Sequence, residues 1–93
     1  MKISYSREAI GDLIRVREFI ATKNPEAAEK IAKSIRKGIS QLKTFPYLGV
    51  EVVQAPDPEM IRDLIIGNYI ARYLIYAKQI YILRVWHHKE EHL

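Results

Sequence analysis

Cysteine and long apolar runs are both missing from this sequence. Without cysteine, neither a disulfide framework nor a thiolate metal site is available, and this suits a reducing compartment. No stretch reaches the roughly 18 consecutive apolar residues that a membrane-spanning helix needs. The first five residues also lack the hydrophobic core of a secretory signal. We therefore expect a soluble, cytoplasmic protein without a membrane partner.

Several kinds of catalytic or binding site also have no counterpart in the sequence. The four glycines are isolated, so no glycine-rich loop is present to cradle a phosphate. No Ser–His–Asp pattern and no pair of catalytic carboxylates stands out. The histidines are His87, His88 and His92, and as neighbours on a strand the first two would point to opposite faces. The sequence therefore predicts no metal site and no cofactor.

What the sequence does contain is enough apolar material for one folded domain. A chain of 93 residues has the length of a single domain, and we treat residues 1–93 as one. Residues 1–46 hold ten Lys or Arg and five Asp or Glu, a net charge of +5, while residues 47–93 hold five and six, a net charge of −1. The basic half favours an acidic protein partner or a nucleic acid, although a solvated basic helix face explains it equally well.

The first half of the chain predicts a strand followed by two helices. Residues 1–5 alternate in polarity as a short strand does. Ser6 is placed to cap a helix over Arg7–Thr22, and Asn24 to cap a second helix over Pro25–Lys43. Because only about two residues separate the helices, we expect them to form an antiparallel hairpin.

Each helix has an apolar stripe and a polar side. The stripe of the first helix is widened by Ile10 and Ile14, and Asp12 falls away from its centre. The polar side of the second helix is basic. Its residues are Lys30, Lys33, Arg36 and Lys37. We expect the apolar stripes to pack on a sheet and the basic side to remain exposed.

The second half of the chain predicts a β-meander. A connection over Thr44–Pro58 holds a short extended piece around Val50–Val53, and three β-rich runs follow, over Met60–Ile66, Tyr69–Ala77 and Gln79–Trp86. Gly67-Asn68 and Lys78-Gln79 are short enough for hairpin turns, and the apolar run at residues 80–83 is typical of a central, covered strand. The order β-α-α-β-β-β predicts an α+β fold with a helical hairpin packed on a mostly antiparallel sheet.

Several segments resemble the ParE/RelE superfamily of toxins. The Asn-Pro-Glu-Ala-Ala segment at residues 24–28 and the Leu-x-x-Phe-Pro-x-x-Gly pattern at residues 42–49 resemble the helical hairpin of ParE-type toxins. Arg62 and the segments at residues 69–73 and 80–87 resemble the three-stranded half of the same superfamily. No single segment is specific, but their order and spacing match over nearly the whole chain.

The resemblance implies a toxin of a type II toxin–antitoxin module, neutralised by an antitoxin that wraps around it. ParE-type members commonly inhibit DNA gyrase by binding, and we favour that function here. One alternative is a RelE-like, ribosome-dependent mRNA endonuclease, and another is an attenuated toxin that acts mainly in antitoxin-mediated transcriptional autoregulation. Operator DNA would be contacted only through the antitoxin. The antitoxin would meet the basic side of the second helix, at Lys30, Lys33, Arg36 and Lys37.

Residues for the ribonuclease alternative are present but incomplete. Such an enzyme must activate a 2′-hydroxyl, protonate the leaving oxygen and hold the phosphate. By resemblance, Arg72 would hold the phosphate, His87 would serve as acid or base, and Arg62 and Arg84 would complete the cluster. However, Asp63 stands where a lysine pair is expected, and the tail after the last strand has no tyrosine.

We therefore predict a protein that binds its target without catalysis. The predicted target-binding residues lie on the strands and just after them. They are Arg62, Arg72, Arg84, Trp86 and His87. Each arginine also has a plain structural interpretation, in which Arg62 pairs with Glu59 or with neighbours of Asp63, and Arg84 pairs with Glu90.

Overall fold

A computed structural model describes residues 1–90, in which a helical hairpin packs across one face of a five-stranded sheet. The elements are β1 (Lys2–Tyr5), α1 (Arg7–Lys23), α2 (Pro25–Ser40), β2 (Val50–Glu51), β3 (Ile61–Ile66), β4 (Tyr69–Tyr76) and β5 (Gln79–His87). A 3-10 turn over Gln41–Lys43 follows α2, so this helix is shorter than predicted. The predicted α+β architecture, with its hairpin and mostly antiparallel sheet, is confirmed.

Side-chain caps set the starts of both helices. The Ala9 amide donates to Ser6 Oγ over 2.9 Å, and the Ala27 amide donates to Asn24 Oδ1 over 3.1 Å. Pro25 occupies the first position of α2, where its missing N–H costs no hydrogen bond. Both predicted caps are confirmed. Among residues 1–90, neither helix has the length and apolarity to cross a membrane.

The strands lie in the order β1-β5-β4-β3-β2. β1 runs parallel to β5, and the other neighbours are antiparallel. β5 is therefore covered on both sides by other strands, as its apolar sequence predicted.

The turn between β4 and β5 is shifted by one residue from the prediction. Ala77 and Lys78 form it, with φ angles of 52° and 62°, the left-handed conformation that a tight two-residue hairpin needs. This turn aligns Ile75 with Ile80, and both side chains are buried. Burial of the apolar pair therefore accounts for the register, because a shift by one residue would turn these side chains outward.

The core lies between the hairpin and the sheet. Its central side chains on α2 are Ile35 and Ile39, which pack with Leu64, Ala71, Tyr73, Ile82 and Val85 of the sheet.

On α1 the predicted apolar stripe is wrong in part. Ile10 and Ile14 are 49% and 52% exposed, while Asp12 is only 5% exposed. Asp12, rather than Ile10 or Ile14, faces the sheet, and its carboxylate accepts hydrogen bonds from Arg84 and Val85 of β5.

Candidate functional site

Arg72, on the middle strand β4, is bound by the carboxylate directly opposite on β3. Arg72 Nε lies 2.8 Å from Asp63 Oδ1, and Nη2 lies 3.0 Å from Oδ2, so both carboxylate oxygens are engaged. The guanidinium also lies over the Trp86 ring at 5.1 Å. Hydrogen bonding to Asp63 raises the pKa of Arg72 against the opposing effect of burial. The arginine predicted to hold a phosphate is thus already occupied.

Arg84 is bound in the same way by a carboxylate from α1. Arg84 Nε lies 2.8 Å from Asp12 Oδ2 and Nη2 lies 3.0 Å from Oδ1, while the Val85 amide donates to Oδ2 over 2.9 Å. Burial alone would raise the pKa of Asp12, but the hydrogen bonds from Arg84 and Val85 lower it below its usual value. The predicted pairing of Arg84 with Glu90 is wrong, because α1 crosses β5 and brings Asp12 to Arg84.

Glu90 instead binds another residue of α1. Arg15 Nη1 donates to Glu90 Oε1 over 3.2 Å. This contact joins the turn after β5 to the outer side of α1.

Arg62 fastens the connection before β2 to the sheet. Its Nε donates to the Glu59 carbonyl and its Nη1 to the Gly49 carbonyl, each over 2.9 Å. Its guanidinium lies 5.0 Å from the Tyr47 ring, and Glu51 is its acidic neighbour at 3.6 Å. Arg62 therefore does contact Glu59, but through the backbone carbonyl rather than the predicted carboxylate.

The residues predicted to act together lie on two different faces of the sheet. Asp63, Arg72 and Trp86 face away from the helices, since they alternate with buried neighbours that face the hairpin. There Arg72 lines a cleft of about 560 Å³ with apolar side chains that include Ile61 and Leu83. We call this the open-face cleft.

His87 lies on the helix side of the sheet. Its ring meets Tyr69 edge-on at 5.2 Å, and both line a cleft of about 550 Å³ together with Val16, Phe19 and Ile20 of α1. We call this the helix-side cleft. Arg72 and His87 therefore do not converge on one site, and the five predicted target-binding residues are not brought together.

The histidines near the end of β5 also differ from the prediction. The strand ends at His87, so His88 is not part of it. The ring centroids of His87 and His88 lie 4.7 Å apart with an angle of 30° between the ring planes, so the two rings do not point to opposite faces. The Lys89 amide donates to His87 Nδ1 over 3.1 Å. Within residues 1–90, no group of three or more His, Asp or Glu side chains is placed to hold a metal ion. His92 lies outside the described residues.

The four basic residues of α2 are all exposed, but they border different surfaces. Arg36 lines a small cleft between the two helices with Leu13. Helical spacing places Lys30 and Lys37 on the flank that also carries Gln41. Gln41 and Gly38 line a groove of about 430 Å³ next to β3, which we call the edge groove.

The edge groove has an apolar floor that the sequence did not reveal. Leu48, Val50 and Ile65 line it, and each is exposed. β2 pairs only with Arg62 and Asp63, so within the described part of the chain residues 64–66 of β3 have no strand on the side away from β4. An apolar strand edge without a neighbour is a typical binding place for an extended segment of another chain.

Two partner residues, Asp12 and Asp63, were missing from the predicted set. The position of Asp63 follows from the predicted turn at Gly67-Asn68, because a two-residue hairpin that aligns residue 66 with residue 69 also aligns Asp63 with Arg72. No comparable local signal connects Asp12 with Arg84.

Comparisons with known proteins agree with this architecture. The family model described as the ParE toxin of type II toxin-antitoxin system, parDE, matches residues 3–92. The fold is similar to a solved chain from the "Chromosomal ParDE TA system from P. aeruginosa", with a TM-score of 0.79, 23% identity, and coverage of 94% of this chain and 95% of that one. A search of curated proteins gave no match. Because the family model spans nearly all of the sequence, the chain belongs to the ParE toxin family of type II toxin–antitoxin systems.

Proposed function

We propose that this protein acts in the cytoplasm as the toxin of a toxin–antitoxin module and inhibits DNA gyrase by binding to it. Membership in the ParE family supports the toxin role. The observation that carries the choice of mechanism is the separation of Arg72 from His87 on opposite faces of the sheet. A ribonuclease needs its phosphate-holding group and its acid or base at the same phosphodiester, and these two residues do not meet there.

The charge of the strand arginines also supports binding without RNA cleavage. Arg72 and Arg84 are each held in a two-oxygen contact with an aspartate, and Arg62 lies beside Glu51. RNA binding depends on unpaired positive charge that can replace the counterions of the phosphates. The strands present little unpaired positive charge, because each of their three arginines lies beside a carboxylate.

For target binding, we propose the helix-side cleft as the contact surface. Of the predicted target-binding residues, the three arginines are engaged in ion pairs and Trp86 is buried. His87 lines the same cleft as Phe19, a residue that is 67% exposed. An exposed aromatic ring beside a cleft is a common centre of binding energy in protein interfaces.

For the antitoxin, we propose the edge groove and the basic flank beside it. The apolar floor suits an extended or helical segment with apolar side chains, and Lys30 and Lys37 suit acidic residues in the same segment. Lys33 and Arg36 lie further around α2 and would meet a segment that continues over the helix.

The gyrase proposal is tested by a supercoiling assay with relaxed plasmid, gyrase, ATP and an excess of the purified toxin. Supercoiling is expected to stop, and addition of the antitoxin is expected to restore it. A parallel translation reaction, probed for cleavage of mRNA in the ribosomal A site, tests the alternative. Normal supercoiling together with A-site cleavage would replace the gyrase proposal with the endonuclease.

A further inference from the structure

We propose that Asp63 is a specificity-determining residue, which keeps nucleic-acid phosphates out of the open-face cleft by occupying the guanidinium of Arg72. This inference concerns what the surface excludes, and it does not depend on gyrase being the target. It rests on three observations: the geometry of the Asp63–Arg72 contact, the charges around Arg72 and the absence of any second hydrogen-bonding role for the Asp63 side chain within residues 1–90.

The geometry places Asp63 where a phosphate would bind. Arginine recognises phosphate with two parallel N–H groups. In this protein the Nε and Nη2 groups of Arg72 point at the two oxygens of Asp63, at 2.8 and 3.0 Å. The guanidinium carbon lies over the Trp86 ring, 5.1 Å from its centroid. One of the two donor pairs of the guanidinium, Nε with Nη2, is therefore taken by a carboxylate of the same chain, which leaves a phosphate the Nη1 side and the repulsion of a bound carboxylate.

The charges around the cleft make the exclusion effective. Arg72 is the one cationic residue that lines the cleft among the residues the structure describes. The residue opposite Arg72 on β5 is Arg84, whose charge is neutralised by Asp12. The row formed by these two arginines and two aspartates thus has no net charge. A phosphate that approached Arg72 would also meet the negative charge of Asp63, whose Oδ1 lies 2.8 Å from Arg72 Nε.

The side chain of Asp63 has no other evident task. Within residues 1–90 its carboxylate makes hydrogen bonds to Arg72 alone, whereas Asp12 also holds the backbone of β5. An amide of the same shape at position 63 can still accept one hydrogen bond from Arg72. Asp63→Asn therefore keeps the packing of the strand pair and removes the charge that competes with phosphate.

The test is the affinity of the purified toxin for a fluorescently labelled uridine decamer, measured by anisotropy over a range of salt concentrations. Asp63→Asn is expected to bind the RNA about tenfold more tightly than the unaltered protein. The slope of log K against log salt is expected to steepen by about 0.7, the value for one more contact with a single-stranded phosphate. The RNA is expected to remain uncut, because His87 lies on the other face.

A matched control separates a local effect from a change in net charge. Glu18→Gln makes the same change in charge at an exposed position of α1, and it is expected to leave RNA affinity within about twofold of the unaltered protein. The double variant Asp63→Asn with Arg72→Gln is expected to lose the gain. Equal RNA affinity of the Asp63→Asn and Glu18→Gln proteins, or a gain that survives loss of Arg72, would overturn the proposal.

A further variant tests the proposal in the presence of Asp63. Arg72→Gln alone is expected to leave the weak RNA affinity of the protein unchanged, because the guanidinium is already occupied. A clear loss of affinity in this variant would mean that Arg72 binds phosphate despite Asp63, and the proposal would be wrong. Supercoiling assays on the same proteins report on gyrase separately, so failure of one proposal leaves the other open to its own test.

Discussion

The carboxylate of Asp12 accepts hydrogen bonds from Arg84, at 2.8 and 3.0 Å, and from the Val85 amide, at 2.9 Å. β1 pairs with β5 only as far as Tyr5 and Ile82, and the Ser6 hydroxyl then donates to the Leu83 carbonyl. Asp12 supplies the next acceptor along this edge. A side chain of α1 thereby continues the pairing that β1 began and holds the helix on the sheet.

Asp12→Ala is expected to lower the free energy of unfolding by about 2–4 kcal/mol. The variant leaves a buried amide and a partly buried arginine without their partner, and losses of this kind are costly. Urea unfolding followed by circular dichroism measures the effect. Glu18→Ala, at an exposed position of the same helix, is the control, with an expected change of at most about 0.5 kcal/mol. Similar losses in the two variants would show that the Asp12 contacts stabilise little.

Stability is also expected to depend on pH through Asp12. Its pKa is lower in the folded protein than in the unfolded chain, so its contribution is complete above about pH 4, the ordinary aspartate pKa. As the pH falls further, the unfolded chain takes up the proton first and the contribution is lost. Urea midpoints measured from pH 6 to pH 2 are expected to converge between the unaltered protein and Asp12→Asn. A constant difference over this range would contradict the assignment.

The Tyr73 hydroxyl is expected to hold the connection before β2 in place. The buried hydroxyl donates to the Pro46 carbonyl over 2.7 Å and accepts from the Gly49 amide over 2.9 Å. Tyr73→Phe is expected to cost about 1–2 kcal/mol and to speed hydrogen exchange of the Gly49 amide. Tyr76→Phe, on an exposed side chain of the same strand, is the control and is expected to change neither.

A substitution at Gly49 is expected to disturb the same contact with Tyr73 by crowding its ring. A Cβ atom at this position would lie 2.8 Å from Tyr73 Cε1 and 2.9 Å from the Asp63 backbone oxygen. Gly49→Ala is therefore expected to destabilise the protein by at least about 1 kcal/mol, since buried ring and backbone must both shift. Thermal unfolding of this variant beside Gly11→Ala, where a Cβ meets no atom within 4 Å, measures the difference. Equal melting temperatures would contradict the close approach.

Phe19 and His87 are expected to contribute to gyrase inhibition. If the helix-side cleft is the contact surface, Phe19→Ala is expected to raise the half-inhibitory concentration about tenfold or more, as loss of a central aromatic contact does, and His87→Ala is expected to have a smaller effect. Phe45→Ala is the matched control, since Phe45 is 61% exposed but lies outside the cleft. Inhibition that is unchanged in Phe19→Ala and reduced in Phe45→Ala would move the target site away from His87.

Charge reversal beside the edge groove is expected to slow antitoxin binding. The double variant Lys30→Glu and Lys37→Glu replaces attraction by repulsion for an acidic segment, and the association rate is expected to fall about tenfold at low salt and less at high salt. Surface plasmon resonance with the purified antitoxin measures both rates. Lys78→Glu, in the turn between β4 and β5, serves as the control. Because Lys78→Glu changes the net charge by half as much as the double variant, a logarithmic effect of about half the size or more at Lys78 would indicate a response to net charge alone.

The sequence was informative wherever the decisive interactions are local. Ser6 and Asn24 cap helices through atoms three residues away, and a two-residue turn at Gly67-Asn68 sets the whole register of β3 against β4. Even the Asp63–Arg72 contact follows from that register. Helical periodicity predicted the apolar side of α1 that packs on the sheet, but it contains no information on the distant partners of Asp12, and so the exposure of Ile10 was not predicted.

Composition, caps and turns thus determined the order of the elements and the two-layer arrangement, because each depends on neighbours within a few positions. Tertiary structure alone decided the pairing of Arg84 with Asp12. Leu83 is an extra residue between the paired positions of β4 and β5, and this bulge places Arg84 opposite Arg72. α1 then brings Asp12 to Arg84 across 72 positions of the chain. Such contacts depend on how the helix crosses the sheet, which is set by the packing of the whole core.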